Sequence, residues 1–107
     1  MPELKEKPLL SDFQKYVVEL ERERNFSDQT TTDKCLLLGE EVGELFKAVR
    51  KSEGLLIDPN STITEIGDEL ADIFIYLCAI ANRKGIELEE AFREKEVKNH
   101  KRTWSSK

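Results

Sequence analysis

Acidic side chains set inside apolar helix faces are the residues of this chain whose types and spacing could do chemistry. Around Glu40-Glu41-Val42-Gly43-Glu44, the residues Leu38, Val42, Leu45 and Val49 recur at the spacing of one helix face. At about 100° per residue, Glu41 projects between Leu37, Leu45 and Ala48, inside the apolar arc, and Glu44 falls at its edge. The arrangement is repeated in Glu65-Ile66-Gly67-Asp68-Glu69-Leu70-Ala71-Asp72, where the apolar face runs through Ile66, Leu70, Ile73, Leu77 and Ile80. Glu69 projects between Ile73, Tyr76 and Ile80, and Asp72 sits at the margin. A carboxylate among buried apolar neighbours costs several kcal/mol unless it is neutralised. Packed together, the two helices would gather four carboxylates that repel one another and call for cations. Ligands that are all oxygen suit Mg²⁺ or Mn²⁺ better than Zn²⁺. The competing reading is an acid cluster neutralised by Lys or Arg from another helix.

The rest of the chain has to position those acids. Its 107 residues bound it to one domain, with a modest core of the size that oligomerisation often completes. The hydrophobic fraction is 38% and the charged fraction 36%, and the three prolines and five glycines punctuate periodic segments. These features predict an all-α fold, a four-helix bundle. The first helix spans about Asp12 to Asn25, with Ser11 and Gln14 as a capping box and Phe13, Val17 and Leu20 inward. Its charge run from Glu19 to Arg24 reads as a solvated, salt-bridged face. Residues 26–32 read as a loop, in which Phe26 is either a packing anchor or part of a ligand pocket.

Thr30 or Thr32 is placed to cap a second helix, about Asp33 to Lys51, which Gly54 ends in a left-handed conformation. Asp58-Pro59-Asn60 signals a turn, and Thr62 with Glu65 forms another capping box. The third helix, about Ile63 to Lys84, is apolar on several sides and is predicted to fill the bundle centre or a subunit interface. Three neighbours in one small subunit would leave Ile75, Cys78 and Ala79 to be covered by another copy, which predicts a homodimer or homotetramer. A fourth helix, about Glu87 to Lys101, turns Leu88, Ala91, Phe92 and Val97 inward or nearly so. Trp104 is a candidate packing residue in an otherwise frayed end.

Several classes are disfavoured. The net charge of −5 argues against coating nucleic acid. No apolar run approaches the ~20 residues of a membrane span, and no secretory h-region follows the charged start. Cys35 and Cys78 both lie in apolar helical runs and read as buried free thiols, consistent with a cytoplasmic protein. His100 has no His or Cys partner at metal spacing and reads as a solvated residue. No phosphate-cradling Gly-rich loop is present, and no Ser/His/Asp or Cys/His set. A di-iron bundle would need Glu-x-x-His pairs, which are missing. Metal-assisted attack of water on a phosphate ester or anhydride remains.

Glu41-x-x-Glu44 followed by Glu69-x-x-Asp72, in the contexts Gly39-Glu40-Glu41-Val42-Gly43-Glu44-Leu45 and Glu69-Leu70-Ala71-Asp72-Ile73-Phe74-Ile75-Tyr76-Leu77, resembles the all-α nucleoside triphosphate pyrophosphohydrolases of the MazG type. Lys95-x-x-x-Asn99-x-x-Arg102 is similar to an element near the end of that domain. The likeness runs from about residue 11 to residue 104, leaving residues 1–10 as an arm and 105–107 as a tail, and points toward the small single-domain members that include dCTP pyrophosphatases.

The resemblance implies Mg²⁺-dependent hydrolysis between the α and β phosphates of a canonical or modified nucleoside triphosphate, in nucleotide-pool house-cleaning. It implies metal ligation by Glu41, Glu44, Glu69 and Asp72, with one of them or Glu40 orienting the attacking water. It sets Lys95, Asn99 and Arg102 against phosphates and Phe26 and Tyr76 near the base. Relatives often carry Trp where this chain has Phe26. Glu65-x-x-Asp68 is a second candidate pair one turn upstream; Glu69 and Asp72 are preferred because Glu69 lies further inside the apolar arc, with Glu65 as an outer ligand. The alternatives are a phosphoribosyl-ATP pyrophosphohydrolase and a non-catalytic helical interaction module.

Overall fold

The computed structural model describes residues 1–55, 58–60 and 65–102. Four α-helices, α1 (Leu10–Glu23), α2 (Thr31–Ser52), α3 (Ile66–Arg83) and α4 (Leu88–His100), make up the fold, with no strand among the described residues. The all-α reading of the periodicity holds. Helix α3 is central: α2 packs along it most extensively, α1 lies on another side, and α4 packs on α1. Val17 and Leu20 of α1 close on Cys78 and Ala79 of α3, and Phe13 meets Phe74 edge-on at 5.3 Å between ring centroids. Burial in this core pushes the Cys78 thiol up to about 11.

The helix ends explain how the loops are aimed. Thr30 caps α2: its Oγ1 accepts the Asp33 N–H at 3.0 Å, and Asp33 Oδ2 accepts the Thr30 N–H at 2.9 Å. Three helices stop in the same way, with a residue at positive φ and paired backward bonds to the last turn. At α2 and α3 that residue is glycine, Gly54 (φ 79) and Gly85 (φ 64). At α1 it is Asn25 (φ 60), and the Phe26 N–H returns to the Glu21 carbonyl at 2.8 Å. Asn25 thereby fixes where the chain leaves α1 and where Phe26 starts. Asp58 Oδ1 accepts the Asn60 N–H at 2.9 Å, which makes the Asp58-Pro59-Asn60 segment a turn.

Several sequence expectations are corrected. Ser11 does not cap α1. The helix starts two residues earlier, at Leu10, and Asp12 Oδ2 accepts the Leu9 N–H at 2.7 Å. Gln14 is not a capping partner either: its amide donates to the Ile86 carbonyl at 2.8 Å and its Oε1 accepts the Leu88 N–H at 2.9 Å, which ties the start of α4 to α1. Cys35 is exposed, not buried. Cys78 and Ala79 are not left for another copy, because α1 covers them within the chain. On α4, Phe92 and Val97 are exposed, not inward, and no residue of that helix is buried. Thr62 and Trp104, and with them the second capping box and the terminal packing residue, lie outside the described residues.

The exposed α4 residues have counterparts elsewhere: Leu36 (68%) and Phe46 (67%) on α2, and Leu70 and Leu77 on α3, are also exposed. The radius of gyration is 16.8 Å, against about 13 Å for a compact chain of this length. A single chain is therefore open, with much apolar side-chain surface uncovered.

Candidate active site

The α2–α3 packing brings acids from the two motifs together. One carboxylate oxygen each from Glu41, Glu69 and Asp72 lies within 4.8 Å of the others. A hydrogen bond that the protonated Glu41 carboxyl donates to Glu69, burial, and the charges of Glu69, Asp72 and Glu44 push the Glu41 carboxyl up to about 7. Like charges this close resist ionising together without a counter-charge, which is why the Glu41 carboxyl holds its proton to higher pH than an ordinary glutamate. Glu44 stands one turn on, exposed; its charge reaches Glu41, but it is not in the three-carboxylate group. Glu40 is exposed, and its charge reaches Tyr76. Glu65 is the exposed N-cap of α3 and Asp68 an exposed first-turn residue; neither joins the group.

Beside the acids a cavity of about 260 Å³ opens between α1, α2 and α3. Glu41 and Asp72 form one end of its wall, and Phe26, Tyr76, Lys34 and Gln29 line the rest with apolar neighbours. Burial and then the charges of Glu41, Asp72 and Glu40 raise the Tyr76 hydroxyl pKa. Phe26 and Tyr76 thus share a cavity with two of the three converging acids. Lys95, Asn99 and Arg102 do not line it. Asn99 lines a separate shallow depression along α4 and donates to Glu96 at 2.8 Å.

Sequence reading missed the other half of this wall. Glu21, in the charge run read as solvated, is buried. Its oxygens accept both Arg83 Nη groups at 2.9 and 2.7 Å and pair with Lys34 Nζ at 3.1 Å. Burial pushes the Glu21 carboxyl up, but the Arg83 and Lys34 bonds outweigh it and hold the group below its ordinary value. The other Arg83 donors go to the carbonyls of Gln29, Ala79 and Phe26, so all five are used and the loop after α1 is fastened to α3. Lys34 Nζ lies 5.0 Å from the Phe26 ring centroid and 5.5 Å from that of Tyr76. The signal was present: Lys34 precedes Glu41 by two turns on the same face, and Arg83 follows Asp72, Tyr76 and Ala79 on theirs.

Against this geometry stand the likenesses to known proteins. Residues 29–104 match the MazG nucleotide pyrophosphohydrolase domain. The chain belongs to this family. Two crystal structures of iMazG from Vibrio DAT 722 are similar in fold. The N-tagged form is 31% identical, covers 85% of this chain and 93% of its own, and superposes with a TM-score of 0.65. The C-tagged form is 30% identical over 86% of this chain and 98% of its own, with a TM-score of 0.66. No curated protein matches the chain. Family membership supports nucleotide pyrophosphohydrolase activity in general terms, and the converging acids supply a place for a divalent cation. Among the described residues, no helix is long and apolar enough to cross a membrane.

Proposed function

We propose that this protein hydrolyses a (deoxy)nucleoside triphosphate between its α and β phosphates, giving a nucleoside monophosphate and pyrophosphate, with Mg²⁺ as cofactor. The observation that carries the reading is the convergence of Glu41, Glu69 and Asp72 beside a cavity walled by Phe26 and Tyr76. The donor set fits a hard divalent cation: it is all oxygen, and it is crowded enough that the Glu41 carboxyl is pushed up to about 7. Glu41, Glu69 and Asp72, with Glu44 at the rim, would hold Mg²⁺, and Mn²⁺ would substitute. When bound, the cation neutralises phosphate charge and lowers the pKa of a coordinated water.

The chain's own residues do the rest. Glu40 or one of the cluster acids orients the attacking water toward the α phosphorus. Phe26 and Tyr76 hold the base by stacking, which fixes the nucleoside relative to the acids. Lys95, Asn99 and Arg102 supply charge and N–H donors for the phosphates. Lys95 and Asn99 stand on α4, which packs on α1, and Arg102 follows just after its end, so we assign all three to phosphates bound at a site completed by a neighbouring copy. A homodimer or homotetramer would also cover Leu36, Phe46, Phe92 and Val97. The reading places the protein in the cytoplasm, in nucleotide-pool house-cleaning.

A single preparation tests it. Light scattering gives the assembly state, and a panel of canonical and modified nucleoside triphosphates and phosphoribosyl-ATP is assayed with Mg²⁺ and with EDTA. Monophosphate and pyrophosphate in equal amounts, only with Mg²⁺ and from an oligomer, are expected. Release of orthophosphate, or turnover undiminished by EDTA, would sink the reading.

A further inference from the structure

The cation at the far end of the cavity has no role in the reaction proposed above. Lys34 is almost fully buried at 3% exposure, yet it lines the cavity. An ammonium has three donors and no acceptor. Among the described residues its oxygen partner is Glu21, already held by both Arg83 Nη groups, and the rings of Phe26 and Tyr76 flank it. Gln29 lines the same cavity. Its backbone carbonyl is fixed by Arg83, and its Oε1 is buried with no partner among the described residues. A donor with capacity to spare and an acceptor lacking a donor thus share the wall of an aromatic cavity.

Distance along the helix separates this pair from the phosphate end. Lys34 and Glu41 are seven residues apart on α2, which is roughly 10 Å of rise. A nucleoside whose phosphates lie at the acids spans that separation with its sugar and base. The charge of the Glu21, Lys34 and Arg83 group sums to one positive, which suits a base oxygen or ring nitrogen and repels no part of a neutral base.

We propose that Lys34 and Gln29 are specificity-determining residues that read the hydrogen-bonding edge of the nucleobase, Lys34 donating to a ring nitrogen or carbonyl oxygen and Gln29 accepting an adjacent N–H. The inference rests on the nucleotide reading above and deepens it. It assigns the substrate class as nucleotides whose base presents a donor beside an acceptor, held between Phe26 and Tyr76. Arg83 acts through Glu21 and the loop carbonyls as a positioning residue.

The test compares a natural base with an apolar isostere of the same shape. The best canonical triphosphate for the wild type is assayed against its difluorotoluene (for a pyrimidine) or methylbenzimidazole (for a purine) counterpart. The same comparison is made with Lys34→Met and Gln29→Leu. The wild type is expected to favour the natural base by at least about tenfold in kcat/KM, the scale of one hydrogen bond to a charged donor. Each variant should narrow that ratio by a similar factor, through KM and not kcat. Loss of activity by equal factors on both substrates, or an unchanged ratio, would overturn the assignment, because a merely structural role moves both substrates together. Calorimetric binding of the two monophosphates reads the same ratio without turnover. A chain that discriminates in binding but hydrolyses neither triphosphate would retain the base-reading pair and lose the pyrophosphohydrolase reading.

Discussion

Two acid groups, one around buried Glu21 and one around buried Glu69, lie along one cavity and are neutralised in opposite ways. At one end Glu21 has two cations of its own chain, Arg83 and Lys34, and its carboxyl pKa is held low. At the other, Glu41 faces Glu69 and Asp72, and its carboxyl is pushed up to about 7. Burial opposes ionisation at both ends, so the sign of each shift is set by which charges surround the acid. A folded chain could have supplied a lysine to the second group as it did to the first. Leaving that group acidic costs stability in the absence of a cation, and the cost is recovered when a cation binds. The end neutralised by Arg83 and Lys34 belongs to structure and base contact, and the end crowded with carboxylates to the chemistry.

The largest test of this contrast is activity. Glu69→Gln and Asp72→Asn should each lower kcat roughly a hundredfold or more, the scale of removing one group that stabilises developing charge. Asp68→Asn, exposed and outside the cluster, should change it little. If Asp68→Asn abolishes turnover and Asp72→Asn does not, the functional acids lie one helical turn upstream. Next in size is stability at the paired end. Arg83→Met strips Glu21 of its bidentate partner and frees two loop carbonyls, and it should cost about 3–5 kcal/mol in urea unfolding. A loss below 1 kcal/mol would mean that the group behaves as a surface salt bridge.

The two ends also differ in how far the sequence disclosed them. Glu41 and Glu69 were legible because each is an anomaly in a local pattern, an acid where the 3.6-residue period demands an apolar residue, and Asp72 because it follows Glu69 by one turn at the margin of the same face. Thr30 and Gly54 were legible because capping chemistry is local too. Glu21 was not, because its neighbours in sequence are charged and suggested a wet face, while its partners come from α2 and α3. Gln14 was misread for the same reason: three residues from Ser11 it fits a cap, yet its amide closes on Ile86 and Leu88 far along the chain. Cys78 and Ala79 were assigned to a partner copy because periodicity shows how much of α3 is apolar, but not which side α1 takes. The exposure of Phe92 and Val97 follows from where α4 sits, which a short helix with little apolar pattern does not encode.

The smallest effect expected is a pH dependence whose sign differs between the ends. Glu41 titrates at about 7 in the folded chain against 4.5 ordinarily. Between those values the folded state binds a proton that the unfolded state has released. The contribution is complete below pH 4.5 and is lost as pH rises through 7. Glu21 is lowered, so its contribution is present above its ordinary 4.5 and is lost as pH falls through the folded value. In EDTA, thermal melts should therefore weaken on both sides of a maximum, with the alkaline limb set by the acid cluster. Glu41→Gln should flatten that limb without altering the acid one. A hundredfold excess of Mg²⁺ over its Kd should stabilise the fold by about 2.7 kcal/mol, and at a fixed concentration it should raise the melting temperature more at pH 8 than at pH 5, because the cation competes with the proton on Glu41. A Mg²⁺ shift equal at both pH values, or an alkaline limb untouched by Glu41→Gln, would show that the cluster is not where the cation binds.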